Sequence, residues 1–177
     1  RSDAQAMEAE AFTGFYQRSA CPLWAYLARV SGDAALADDL MQEAYLRFLA
    51  SPCPGDTEVD RKRWLFRIAT NLLRDHWRRA APAVSLDDIP EALLPAVDGA
   101  AGFDAHAVVG PTLLRLRLRD RQLLWLAYAE GYSHTEIAGI TGLRPASIRI
   151  LLSRARHKMA KLLRQNPIDR RNDAVFL

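Results

Sequence analysis

Cysteine and histidine are too sparse in this chain to build a metal centre. Cys21 and Cys53 stand far apart with no C-x-x-C, and the four histidines are scattered. That argues against a zinc site and fits a reduced, cytoplasmic protein, a single Cys21–Cys53 disulfide being the competing reading. No Gly-rich phosphate loop or nucleophile–base motif occurs, so the sequence does not read as an enzyme and calls for no metal or other cofactor. No apolar run reaches the ~18 residues of a membrane span. The opening RSDAQAMEAE also lacks the charged-then-apolar layout of a signal peptide. Acidic residues are missing altogether between Arg144 and Arg164.

What is present is charge sorted into blocks. The net charge is only +3, but Arg61 to Arg79 is strongly basic, Ser85 to Asp104 carries acidic charges alone, and the last third is basic again. Two positive blocks around a negative one predict two nucleic-acid-facing modules and a connector.

The most informative stretch is Ser133 to Met159. Ser133 and Glu136 form an S-x-x-E capping box opening a short helix with Ile137, Ala138 and Ile140 inward. Gly142 supplies a tight turn, and Pro145 suits the first turn of the next helix. There Ile148, Leu151, Leu152, Ala155 and Met159 share one face, opposite Ser147, Ile150, Ser153, Arg154, His157 and Lys161. Arg149 and Arg156 lie at the edge. The pattern reads as a helix-turn-helix whose second helix enters a major groove; the plainer reading is a helical hairpin with a solvated basic face.

Upstream, residues 4–30 predict a helix or helix pair, with Pro22 marking a start or kink. The helix around Leu36 to Leu49 turns Ala37, Leu40, Met41, Ala44, Tyr45 and Phe48 inward and Asp39, Gln42, Glu43 and Leu46 outward. An apolar Leu46 amid that polar face suggests a protein-docking spot. After the Pro/Gly loop SPCPGDTEVD comes RKRWLFRIATNLLRDHWRR. It faces Leu65, Phe66, Ala69, Leu72 and Leu73 inward and sets Arg67, Asn71, Arg74 and Arg78 in a polar stripe with Trp64 at its margin. Arginines track phosphates, Asn can read a base edge and an aromatic can stack on an unpaired base. The Pro- and Ala-rich acidic stretch 81–111 predicts a flexible linker, and the tail is 167–177.

With both basic helices in view, the chain resembles a bacterial sigma factor of the extracytoplasmic-function (ECF) group of the sigma-70 family. DDLMQEAYLRF resembles conserved region 2.2, WLFRIATNLLRDHWRR resembles regions 2.3 and 2.4, and RDRQLLWLAYAEGYSHTEIAGITGL with SIRILLSRARHKM resembles region 4. The implied fold is all-α: a region 2-like bundle (1–80) and a region 4-like helix-turn-helix domain (112–166), joined by the acidic linker. The resemblance implies a promoter-specificity subunit. Asp39, Gln42, Glu43, Leu46 and Arg47 would dock on the β′ clamp coiled coil of core RNA polymerase, with the β subunit a further partner. Arg63, Trp64, Arg67, Asn71, Arg74 and Arg78 would serve the −10 element, the loop 51–63 capturing a flipped base. Ser147, Arg149, Ile150, Ser153, Arg154 and Arg156 would serve the −35 element of promoter DNA. An anti-sigma factor, membrane-anchored in some family members, is also implied.

The chain departs from the family pattern at Ile150 and Leu151, where a polar or basic residue is common, and at Arg144, where a Ser-type cap is usual. Two other readings compete: a stand-alone helix-turn-helix regulator, and a sigma-like decoy that binds an anti-sigma factor instead of DNA. Neither uses all three faces.

Overall fold

The computed structural model describes residues 2–80 and 105–165, with the backbone alone for 2–7 and 105–108. The reading of 81–104 as linker and of 167–177 as tail lies outside the described residues. Within them there is no strand, and every regular element is helical.

Helix α1 (Ser2–Ser31) is a single element with Pro22 inside it, where the sequence allowed a pair. Core side chains flank the proline on both sides: Phe15 before it, and Leu23, Tyr26, Leu27 and Val30 after it. Their packing offsets the hydrogen bond that proline cannot donate. Gly32, at φ 78°, ends the helix, and the Asp33 carboxylate caps α2 (Ala34–Ala50) by accepting from the Leu36 amide at 3.0 Å. Every residue expected inward on α2 is buried or half-buried.

Helix α3 (Glu58–Ala80) opens on a reciprocal Thr57–Asp60 cap, with the Asp60 amide donating to Thr57 Oγ1 at 3.1 Å. Leu65, Phe66, Ala69, Leu72 and Leu73 are buried as the periodicity predicts, joined by Ile68, Thr70 and Trp77. Helices α1, α2 and α3 pack on one another in a three-helix group.

The second group begins earlier than expected. Helix α4 (Ala105–Leu114) starts inside the stretch read as linker and carries Pro111 within it. Its C-terminal residues Thr112 and Leu113 are buried, as is Leu116 beyond it, which ties this segment to the fold. Helix α5 (Leu118–Leu124) runs into a π-helical turn, Trp125–Ala129, followed by Gly131 at φ 73°. Helix α6 (His134–Thr141), left-handed Gly142 and α7 (Pro145–Arg164) complete the predicted helix-turn-helix, with both halves of the Ser133–Glu136 capping box formed.

The two groups share one apolar cluster. Helix α6 and the π turn's end lie against α3, while α4 and α5 lie against α1. Cys21 and Cys53 are both free thiols.

Candidate polymerase and nucleic-acid interfaces

Three faces carry the residues singled out from the sequence. On α2, Asp39, Gln42 and Arg47 are exposed, Glu43 is half-buried, and Leu46 is 63% exposed. Arg47 Nε donates to Glu43 Oε1 at 2.7 Å, an i,i+4 pair that holds both side chains along the helix. Leu49, one turn further at 61% exposure, extends the apolar spot, and Trp24 of α1 reaches the edge of the same face. The Trp24 indole donates to Asp38 Oδ1 at 2.7 Å. Sequence reasoning missed both: Leu49 follows from the same i, i+3, i+7 progression, whereas Trp24 is placed by tertiary packing.

Along α3, Arg67, Asn71 and Arg78 are exposed and Arg74 is half-buried. Asn71 Oδ1 accepts from Arg74 Nη2 at 2.6 Å, which orients the amide on the stripe. Burial lowers the pKa of Arg74 from its ordinary value, with Arg78 and Arg67 nearby acting in the same direction. Trp64 is half-buried against the core, and its indole N–H is buried without a hydrogen-bond partner. The Arg67 guanidinium lies 5.7 Å from the Trp64 ring centre, so one face of the ring is already occupied by a cation. Arg63 pairs with Asp60 and reaches Glu136 of α6 at 3.7 Å. Asp60, Arg63, Trp64 and Arg67 form one wall of a cleft of about 250 Å³ whose other wall includes Thr135 and Gly139 of α6.

On α7, Arg149, Ile150, Ser153, Arg154 and Arg156 are exposed and Ser147 is half-buried. Arg144 stands at the N-cap with no side-chain cap bond, as its replacement of a Ser-type residue implies. Arg156 donates to the Tyr128 hydroxyl at 3.2 Å, so the π turn brings a phenol to the edge of this face. No sequence period pointed to that residue. Lys158 is spent on structure: it meets the buried Asp120 carboxylate at 2.6 Å and ties α7 to α5. Among the described residues, no three or more metal-ligating side chains come together. Nor is any helix among them long and apolar enough to cross a membrane.

Two helical groups, each presenting a cationic helix face and one built as a helix-turn-helix, define a two-module DNA-binding protein. Residues 15–82 match the family model for Sigma-70 region 2, and residues 112–159 match that for Sigma-70, region 4. The ECF RNA polymerase sigma factor SigL of Mycobacterium tuberculosis is 30% identical over 154 residues, covering 84% of this chain and 86% of SigL. EcfG of Rhodopseudomonas palustris, another ECF sigma factor, is 32% identical over 144 residues, covering 80% of this chain and 78% of EcfG. Among solved structures, the sigma factor RpoE of Bartonella quintana, in complex with the anti-sigma factor NepR, aligns with a TM-score of 0.66. That alignment covers 88% of this chain and 98% of RpoE at 23% identity, a likeness of fold.

The chain belongs to the ECF sigma factors of the sigma-70 family. Its function is promoter recognition as a subunit of RNA polymerase, in a family of non-enzymatic DNA-recognition subunits.

Proposed function

We propose that the three exposed faces divide the work of promoter recognition among themselves. The α2 face of Asp39, Gln42, Glu43, Leu46 and Arg47 docks on the β′ clamp coiled coil. An acidic rim around an exposed apolar centre is what a protein contact needs, and a DNA contact would be repelled by it. The α3 stripe of Arg67, Asn71, Arg74 and Arg78 follows the −10 element, with Arg63 and Trp64 at the strand-opening end. The face of α7 from Ser147 to Arg156 follows the −35 element: Arg149, Arg154 and Arg156 address phosphates and guanine edges, and Ile150 meets a thymine methyl.

The observation that carries this reading is the placement of both cationic stripes on helices whose opposite sides pack against the shared apolar core. A stand-alone regulator needs α7 alone and leaves the α2 patch without a use. The chain itself catalyses nothing; its working place is the cytoplasm, beside the polymerase. An anti-sigma protein that covers the α2 and DNA-facing surfaces is a further expected partner, supported by the fold likeness to a sigma factor solved with NepR.

The test is transcription reconstituted from core RNA polymerase, this protein and a pool of genomic fragments, beside an Asp39→Ala/Glu43→Ala variant. Promoter-specific transcripts that disappear with the variant assign the α2 face. Specific DNA binding by the free protein, with no binding to core polymerase, overturns the assignment.

A further inference from the structure

Tyr128 stands in the π-helical turn Trp125–Ala129, where the Glu130 amide donates to the Trp125 carbonyl at 3.1 Å. At α-helical spacing residue 128 would share a face with Leu124, which is buried. The wider π turn carries Tyr128 off that face. Leu126 stays fully buried while Tyr128 is 61% exposed, so the phenol ring takes little part in the core. Its hydroxyl accepts from Arg156 Nη1 of α7 at 3.2 Å.

Arg156 closes the stripe Arg149, Ser153 and Arg156, spaced i, i+4, i+7 along α7. From Pro145 at the helix start to Arg156 is about three turns, or ~16 Å of rise. A major groove is about 12 Å wide. With the N-terminal end of α7 on base edges, as helix-turn-helix docking requires, Arg156 has left the groove floor and stands at its phosphate wall. The bond between the two side chains leaves both able to donate again. The phenol keeps its own O–H, and the guanidinium keeps N–H groups beyond the one given to Tyr128.

We propose that Tyr128 and Arg156 form a two-donor clamp for a single backbone phosphate at the edge of the −35 element. Tyr128 is at once a DNA ligand and the residue that holds the Arg156 guanidinium in position. This rests on the −35 assignment made above and narrows it: Arg156 serves phosphate, which leaves Arg149 and Arg154 for guanine edges. A lone arginine on a helix surface samples many rotamers. The phenol selects one, so less side-chain freedom is lost when the phosphate arrives. Phosphate is the same at every step, so the clamp carries no sequence information and instead fixes the register of α7 in the groove. The DNA backbone is thereby held by the segment before α6 as well as by the recognition helix.

The test is holoenzyme binding to a promoter fragment recovered from the reconstituted transcription. The fragment is scanned with single methylphosphonates, each of which replaces one phosphate oxygen by a methyl group and removes its charge. With the unmutated chain, substitution at one phosphate flanking the −35 element should weaken binding about tenfold. Tyr128→Phe should weaken binding to the unmodified fragment about fivefold. It removes no charge, so the slope of log affinity against log salt should stay as it is, whereas Arg156→Ala should lower that slope by about one. Each variant should shrink the penalty at the same phosphate, and the double variant should remove it. The combined loss on the unmodified fragment should fall short of the product of the two single losses. A purely structural role for the phenol would not single out one phosphate. Tyr128→Phe that binds like the unmutated chain overturns the clamp. So does weaker binding with every phosphate penalty unchanged. The −35 assignment is read separately through Arg154→Ala. If neither it nor Arg156→Ala weakens binding, the α7 face is misassigned and the clamp falls with it. If both weaken binding and Tyr128→Phe does not, the face stands and the clamp alone falls.

Discussion

The hydroxyl of Tyr26 on α1 lies 2.8 Å from Thr70 Oγ1 on α3, and both side chains are wholly buried. Burial drives the Tyr26 pKa far above its ordinary value, so the phenol stays protonated at any working pH, and hydrogen bonding to Thr70 only partly opposes that. The bond ties α1 to α3 inside the core. Tyr26→Phe keeps the ring and its contact with Phe66, at 5.3 Å, but strands the Thr70 hydroxyl. The expected loss is about 1–2 kcal/mol, read as a lower urea midpoint with unchanged helicity. A neutral result would mean that water or another group takes the place of the hydroxyl.

Gly142 carries the turn between α6 and α7 at φ 74°, and a Cβ there meets nothing within 4 Å. The cost of Gly142→Ala is then purely conformational, about 1–2 kcal/mol for an L-residue forced left-handed. Thermal unfolding of the variant measures it. Because nothing is crowded, Gly142→Asn should recover part of the loss, Asn being tolerant of that region.

Glu136 gives the capping box a pH signature. Its pKa is held below the ordinary glutamate value, first by the Ser133 amide hydrogen bond at 2.9 Å and then, after desolvation acting the other way, by the Ser133 side chain and the charge of Arg63. A carboxyl whose pKa is lower folded than unfolded stabilises the fold above the ordinary glutamate range, and that contribution is lost as pH falls through the folded value. Glu136→Gln should therefore cost stability at pH 7 and progressively less below pH about 4.3. Denaturant titrations of both proteins across that range should converge in acid; a constant difference would mean that the cap acts through geometry alone.

Local periodicity made much of this legible in the chain itself. The inward set of α2, the stripe on α3, the capping box and Gly142 all follow from spacing within one or two helical turns, where i, i+3 and i+4 neighbours decide burial. What the sequence concealed is tertiary. Asp120 and Arg121 sit in the charged run RLRLRDRQ, yet both are buried, and Arg121 is pushed down to about 10 by burial alone. The seating of Tyr132 on Phe66, the reach of Lys62 to Glu130 and the π turn that turns Tyr128 toward Arg156 depend on how two distant segments meet. No window of sequence contains both partners.

Leu46 and Leu49 lie on the exposed side of α2 and contribute little to the core. Leu46→Asp should change folding stability by no more than about 0.5 kcal/mol. Placed at the centre of the proposed polymerase patch, the same change buries an unpaired charge on docking and should weaken core polymerase binding at least tenfold. Native gel or light-scattering titration against core polymerase reads the second effect, and a chemical denaturation curve reads the first. Loss of both together would show that the residue is structural.

Ile150 and Arg154 offer a direct contrast on the proposed −35 face, because both are exposed on α7, and they differ in what they can read. Ile150, 55% exposed, carries no charge and no hydrogen-bonding group, so its contribution to DNA binding must be contact with an apolar base feature such as the thymine C5-methyl group. Ile150→Ala should relax discrimination at one position of the −35 element severalfold while leaving the salt dependence of binding unchanged. Arg154→Ala should weaken holoenzyme binding across promoter sequences and reduce the slope of log affinity against log salt by about one. Filter binding of a −35 variant panel at several salt concentrations separates the two behaviours. If Ile150→Lys, which restores a cation to this position, tightens binding uniformly, the chain has traded phosphate affinity for base discrimination at that site. If it weakens binding, the isoleucine is fitted to a methyl group that a lysine displaces.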